Sequence, residues 1–325
     1  MAESQSREIS LPAALLIWAG VVLLATSYGL YLGLHGPRFT VALGVAAGLF
    51  AFEFFLAVRC VREAVQGFLM GSGGNLAPLL PLLAALIYTV ILTGDWRLAL
   101  AGAAYAILPA LLLAGAKGKP PGAWEDYASV ALIWAPVEFH WMHRVFPYPP
   151  VLSHSLSILM ALGTGTAAFL LVRRLDGVGY SLDWRRGFTA IIVLHFLIFA
   201  AIAIPLGLKM HFLFWAPSLK RLRALPLSAV GILYFTAWPE EFLFRGLLQN
   251  CFSGTLKNSW LGLIAASAIF GLSHILHTPY PNWKYVLLAT IAGLFYGHLW
   301  MRTRSLLPGA LVHGLVDISW HLLFR

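Results

Sequence analysis

Apolar residues run along this chain in long blocks, and polar residues collect at the seams between them. A helix needs about 20 apolar residues to cross the hydrocarbon layer of a bilayer. Windows near that length occur at 11–33, 40–58, 76–93, 98–116, 152–172, 188–208, 225–247, 260–276, 285–300 and 307–324. Because backbone groups in lipid must be satisfied within the segment, the pattern predicts an all-α fold, a polytopic transmembrane helical bundle of about ten spans.

One apolar stretch does not fit the series. Residues 128–139 are too short to span and are interrupted by Pro136 and Glu138, which suits a re-entrant, interfacial or broken helix. Glu138 acquires no role from the sequence. The first apolar run is too long for a signal-peptide core and lacks a basic flank, so it is expected to be retained. Polar and Pro-rich stretches at 117–126 and 147–150 are the softest boundary, and no internal repeat interrupts the chain. The expected organisation is an N-terminal set of helices over 1–150 and a C-terminal core over 151–325 whose candidate motifs fall at 240–317.

Composition agrees with the pattern. Sixty per cent of residues are hydrophobic, 11% are charged, and the mean hydropathy is +0.80, far from the values of a water-soluble domain. The net charge of +9 does not point to nucleic acid, because the cations sit in short groups beside apolar runs: Arg59 with Arg62, Arg173 with Arg174, Arg185 with Arg186, Lys220 with Arg221 and Arg223. Cations so placed orient a protein in a membrane and meet lipid headgroups. Two consecutive basic loops, 173–186 and 209–223, conflict with strict alternation, so either one helix is miscounted or 209–223 lies along the interface. Cys60 and Cys251 have neither metal-binding nor redox spacing and read as small apolar fillers.

Against this background a few polar groups lie where they are costly. Glu240, Glu241 and Arg245 fall inside 225–247, His274 inside 260–276, and His313 and Asp317 inside 307–324. Ionisable groups within membrane helices are functional candidates by default. On a helix Glu241 stands over Arg245, while Glu240 points about 100° away, so one carboxylate has a cation beside it and the other is freer. The two glutamates are therefore expected to differ in basicity. The same four-residue step relates Phe270 to His274 and His313 to Asp317, with His321 one step further. Three helices can thus direct polar groups to one cavity, where Glu240 and a neutral His274 would hold a water and His313 would donate to an oxyanion.

These residues carry a resemblance. Glu240–Glu241 with Arg245, then Phe270 with His274, then His313 with Asp317, in that order, resemble the motifs of the CAAX protease and bacteriocin-processing family of intramembrane proteases, also called the ABI family. The likeness covers about the last third of the chain. It implies an all-helical intramembrane endopeptidase that hydrolyses a peptide bond of a membrane-associated protein or peptide with glutamate-activated water. By the same resemblance Glu240 and His274 activate the water, and His313 and Asp317 shape the oxyanion site. Glu241 and Arg245 complete the expected catalytic set. The expected protein takes no cofactor, no metal and no nucleic acid, has membrane lipid as its surroundings, and is integral to the bacterial inner membrane. The partner of His313 is often Asn in this family, whereas an ionised Asp317 has no proton to donate.

Plainer readings stand beside these. Glu241 with Arg245 is also what a structural ion pair between helices looks like, and histidines taken singly serve as polar glue. His277, His298 and His321 lack motif support and read as packing or interfacial residues, as does Phe270. Two glutamates and two histidines form a plausible zinc set, yet the His-Glu-x-x-His signature is absent. Ser273 lacks the glycine-flanked pattern of a rhomboid serine and is expected to bond backbone within its helix. The alternatives to a metal-free protease are a non-hydrolytic membrane protein, either a transporter or a bacteriocin-immunity-like partner, and a zinc-dependent variant.

Overall fold

The computed structural model describes residues 6–72 and 74–324. Nearly all of the secondary structure is helical; among the described residues, strand pairing is confined to the two-residue antiparallel match of Ser6–Arg7 with Trp184–Arg185 and a single antiparallel bridge between Trp215 and Phe324. The expected all-α membrane bundle is what the chain forms. Among the described residues, six helices are long and apolar enough to cross a membrane: Leu11–Tyr31, Gly36–Leu56, Trp96–Ala114, Pro150–Val172, Phe188–Lys209 and Leu306–Leu323. Leu79–Leu92 and Ser259–Leu272 are apolar but shorter.

By contacts the chain divides into two compact units, one of residues 8–176 and one of residues 177–325 together with 1–7. In the first, Pro150–Val172 is the central rod, 83% of its apolar window lying inside the protein. The stretch read as interrupted at 128–139 is a continuous helix, Trp124–Glu138, of 15 residues. It starts four residues earlier because Asp126 accepts hydrogen bonds from the backbone N–H groups of Gly122 and Ala123, at 3.0 and 3.1 Å. Such bonds satisfy donors that a helix start leaves open. Pro136 sits in its last turn, and Glu138 accepts a bond from Trp134 Nε1 at 3.0 Å.

The second unit holds five helical rods. Phe188–Lys209 is followed by a helical run over 219–255, then by Ser259–Leu272, Trp283–Thr303 and Leu306–Leu323. Caps set the last three in register: Asn258 accepts from Trp260 and Leu261 N–H, Asn282 from Tyr285 N–H, and Ser305 from Leu307 N–H. The run over 219–255 settles the basic stretch after Lys209. Lys220, Arg221 and Arg223 form its first turns, and no residue of Leu219–Ile232 is buried in the protein. At 1.5 Å per residue the run is roughly 55 Å long, well beyond the hydrocarbon thickness of about 30 Å. Its basic end is continuous with the helical run that carries Glu240 and Glu241.

Midway along that rod Pro239 has no N–H to offer the carbonyl of Phe235. The helix is widened to i→i+5 bonding on both sides of Trp238–Glu241, at Leu233–Ala237 and Phe242–Gln249. Widened turns of this kind free carbonyls, re-aim side chains and recur at functional positions.

Candidate active site

The short α-helical turn between the two widened stretches carries Glu240 and Glu241, and the two carboxylates meet different surroundings. Glu241 is sealed, with 1% of its side chain exposed, whereas Glu240 keeps 31%. Arg245, one turn on, lies 3.0 Å from Glu241 Oε1. That guanidinium is itself buried, stacked 4.3 Å from the centre of Phe270 and 5.2 Å from that of Tyr296. Planar, weakly hydrated guanidinium suits such a slot better than an ammonium group would. Its Nη2 donates to the carbonyl of Gly293 at 3.4 Å.

His313, on the helix Leu306–Leu323, closes the group from the opposite side. Its Nδ1–H donates to Glu241 Oε1 at 3.0 Å, so the carboxylate oxygen that meets Arg245 also fixes this imidazole. A bond at one ring nitrogen sets what the other presents. Nε2 is directed between Glu240 Oε2, at 3.7 Å, and Asp317 Oδ2, at 3.5 Å. Tyr296 stacks on the ring at 4.7 Å with a 17° tilt, which removes its remaining rotational freedom. Close approach of the helices needs small residues: a Cβ on Gly309 would stand 3.0 Å from Glu241 Oε2.

His274 arrives by a different route from the one expected. The helix predicted over 260–276 ends at Leu272, and His274 lies in the following turn, where its N–H bonds the carbonyl of Gly271 at 3.0 Å. Prolines at 279 and 281 do not continue a helix, so the chain leaves the bundle here. Nδ1 of His274 lies 2.8 Å from the carbonyl of Phe270, a bond that only Nδ1–H can make. Nε2 is then the lone-pair nitrogen. Ser273 Oγ donates to the same Phe270 carbonyl at 2.8 Å, the backbone-bonding role expected of it.

Glu240, His274, His313 and Asp317 all line one cavity of about 380 Å³. Its far wall is apolar and aromatic, with Phe196, Phe199, Phe212 and Trp320 among the lining side chains. Glu240 Oε2 is buried without a hydrogen-bond partner. The expected convergence of three polar helix segments is thus present, with Glu241 and Arg245 behind the cavity wall rather than in it. Among the described residues, no three His, Cys, Asp or Glu side chains enclose a point as a ready ion cage.

A fourth helix, Trp283–Thr303, was not expected to contribute. Tyr296 and Tyr285 line the cavity, and Tyr285 packs 4.4 Å from His274. Their aromatic character hid them inside an apolar window. The spacing of Gly293 and Gly297 is the signal that was legible: small residues four apart allow a neighbouring helix to approach closely. Both carbonyls accept from the Glu240 rod, Gly293 from Arg245 and Gly297 from Gln249 Nε2 at 3.1 Å. Of the histidines without motif support, His277 lines the cavity, His298 pairs with His195 at 3.0 Å, and the His321 carbonyl accepts from Arg221 at 2.8 Å.

Residues 222–319 match the family model described as type II CAAX prenyl endopeptidase Rce1-like. The segment holds all three motifs, and the resemblance read from them is borne out over it. At the level of the family the match supports a membrane-embedded protease. No curated protein and no solved structure matches the chain.

Proposed function

We propose that this protein is an intramembrane endopeptidase of the bacterial inner membrane that hydrolyses a peptide bond with water activated by Glu240 and His274. The observation that carries the reading is the cavity shared by Glu240, His274, His313 and Asp317. In it the unpartnered Glu240 Oε2 and the lone pair of His274 Nε2 both accept protons, the requirement for polarising one water from two sides. Glu240 takes the proton as the water oxygen bonds to the scissile carbonyl carbon. His313, carrying a proton on Nε2, donates to the oxyanion, and the C–N bond breaks as the proton held by Glu240 passes to the leaving amine.

Glu241 and Arg245 act behind this machinery as positioning residues. Glu241 fixes the His313 ring through Nδ1–H, and Arg245 holds Glu241 in the one orientation in which it does so. Asp317 orients His313 from its Nε2 side and is not an oxyanion donor while ionised. The aromatic wall supports a substrate that brings a large apolar group beside the scissile bond, such as the prenylated segment named in the family description.

The test compares the termini of membrane proteins in cells carrying the unaltered chain and cells carrying Glu240→Gln at equal abundance. New termini that require Glu240 and His274 support the reading; identical termini in the two strains overturn it.

A further inference from the structure

In the unit of residues 8–176, two apolar helices of spanning length end on one cavity of about 630 Å³. Trp96–Ala114 is followed by Lys117 and Lys119, and Pro150–Val172 by Arg173 and Arg174; all four cations line the cavity. Asp176 is the single acid in that lining among the described residues, so positive charge predominates. Two of the cations have carboxylate partners set outside the lining. Arg173 is buried against Asp126, and Lys119 pairs with Glu125 while 45% of its side chain stays exposed. Lys117 Nζ donates to Asn75 Oδ1 at 3.2 Å. Arg174 is exposed and makes, among the described residues, one hydrogen bond, from Nη2 to the carbonyl of Gln66 at 3.3 Å, and no ion pair. Most of its five N–H donors are therefore open to a ligand.

The rim of the cavity is apolar and amphipathic. Arg59–Phe68 has no buried residue; Val61, Val65 and Phe68 share one face, and Arg62, Glu63 and Gln66 share the other. A helix so divided lies along the edge of a bilayer. Gln66 joins it to the cavity, since its Nε2 donates to the carbonyl of Leu170 at 3.1 Å and its own carbonyl holds Arg174. Met70, two residues beyond the helix, lines the cavity and is exposed, as is Phe68. On the far side of the basic loop Trp124 is exposed at the start of its helix, as aromatic residues are at the membrane edge. A free phosphate ion has no use for such a rim, whereas a phospholipid lays its chains on it and its phosphate among the cations. We infer that this cavity binds the headgroup of an anionic glycerophospholipid, whose phosphate oxygens accept from Lys117 Nζ and from the open fork of Arg174. Basic pockets between membrane helices take anionic headgroups, and guanidinium meets phosphate through paired N–H donors.

The experiment titrates a fluorescent phosphatidylglycerol, and a phosphatidylcholine with the same chains and label, into the purified full-length chain in neutral detergent. Phosphatidylglycerol is expected to bind saturably and about tenfold more tightly than phosphatidylcholine. Lys117→Gln and Arg174→Gln should each weaken it about fivefold, the share of one cation at a headgroup. Arg174→Lys, which keeps the charge without the fork, retains most of the affinity, a result that misfolding would not give. Arg186→Gln, at an exposed cation in the unit of residues 177–325, leaves the affinity unchanged, and millimolar inorganic phosphate leaves the lipid bound. Equal affinity for the two lipids overturns the site, as does an unchanged affinity in the Lys117 and Arg174 variants, an equal loss in Arg186→Gln, or displacement by inorganic phosphate.

Discussion

Each unit of the protein buries an arginine with an acid, and the two pairs are finished differently. In residues 8–176 the pair is Arg173 with Asp126, 3% and 0% exposed. Arg173 Nε donates to Asp126 Oδ1 at 2.9 Å, and its Nη2 donates to the carbonyls of Lys119 and Pro120. Asp126 Oδ2 takes the N–H groups of Gly122 and Ala123. In residues 177–325 Arg245 and Glu241 are buried as deeply, but the network runs on through His313 to two carboxylates that face a cavity. A fully satisfied buried network holds a fold in one arrangement, whereas a network with open acceptors keeps capacity for a reacting molecule. Burial and charge alone do not separate the two; the count of satisfied lone pairs does.

The sharpest way to break this comparison is Glu240→Gln, which keeps shape and removes the base. The rate of product release should fall on the order of 10³-fold with the thermal midpoint in detergent unchanged. A retained rate would place Glu240 with the structural acids. Asp126→Ala should do the reverse, lowering stability by about 3 kcal/mol because it leaves the Arg173 guanidinium buried and uncompensated, with turnover per folded molecule preserved. The denaturation midpoint reads the first effect and a titration of active sites the second. His274→Ala should slow turnover by about 10²-fold, a smaller loss than at Glu240 because Glu240 still accepts the proton. The expected KM is unchanged; a rise in KM alone would make His274 a binding group.

Asp317→Asn has the smallest expected effect, keeping the rate within about tenfold of the parent and flattening its dependence on pH, since an amide can donate where a carboxylate cannot. A collapse of the rate would show instead that the Asp317 charge is needed to hold His313. In the parent enzyme, acid should slow turnover, because a protonated Glu240 no longer accepts a proton from water.

The amino-acid sequence by itself determined the membrane class, the helices and the identity of the polar set. Apolar blocks of spanning length admit no other solution in lipid, and a carboxylate or imidazole within them is conspicuous one residue at a time. The four-residue step placed Glu241 and Arg245 as neighbours along one helical run, and they form a 3.0 Å ion pair. Only the tertiary structure decided how completely Glu241 is sealed and how far Glu240 is left open, because that depends on what the helix 306–323 lays against Trp238–Glu241. It also decided that the histidine of the second motif stands in a turn with Nδ1–H committed to backbone, and that Tyr285 and Tyr296 of a fourth helix join the cavity. Local pattern reports what each segment buries, while proximity between segments distant in sequence is set by packing.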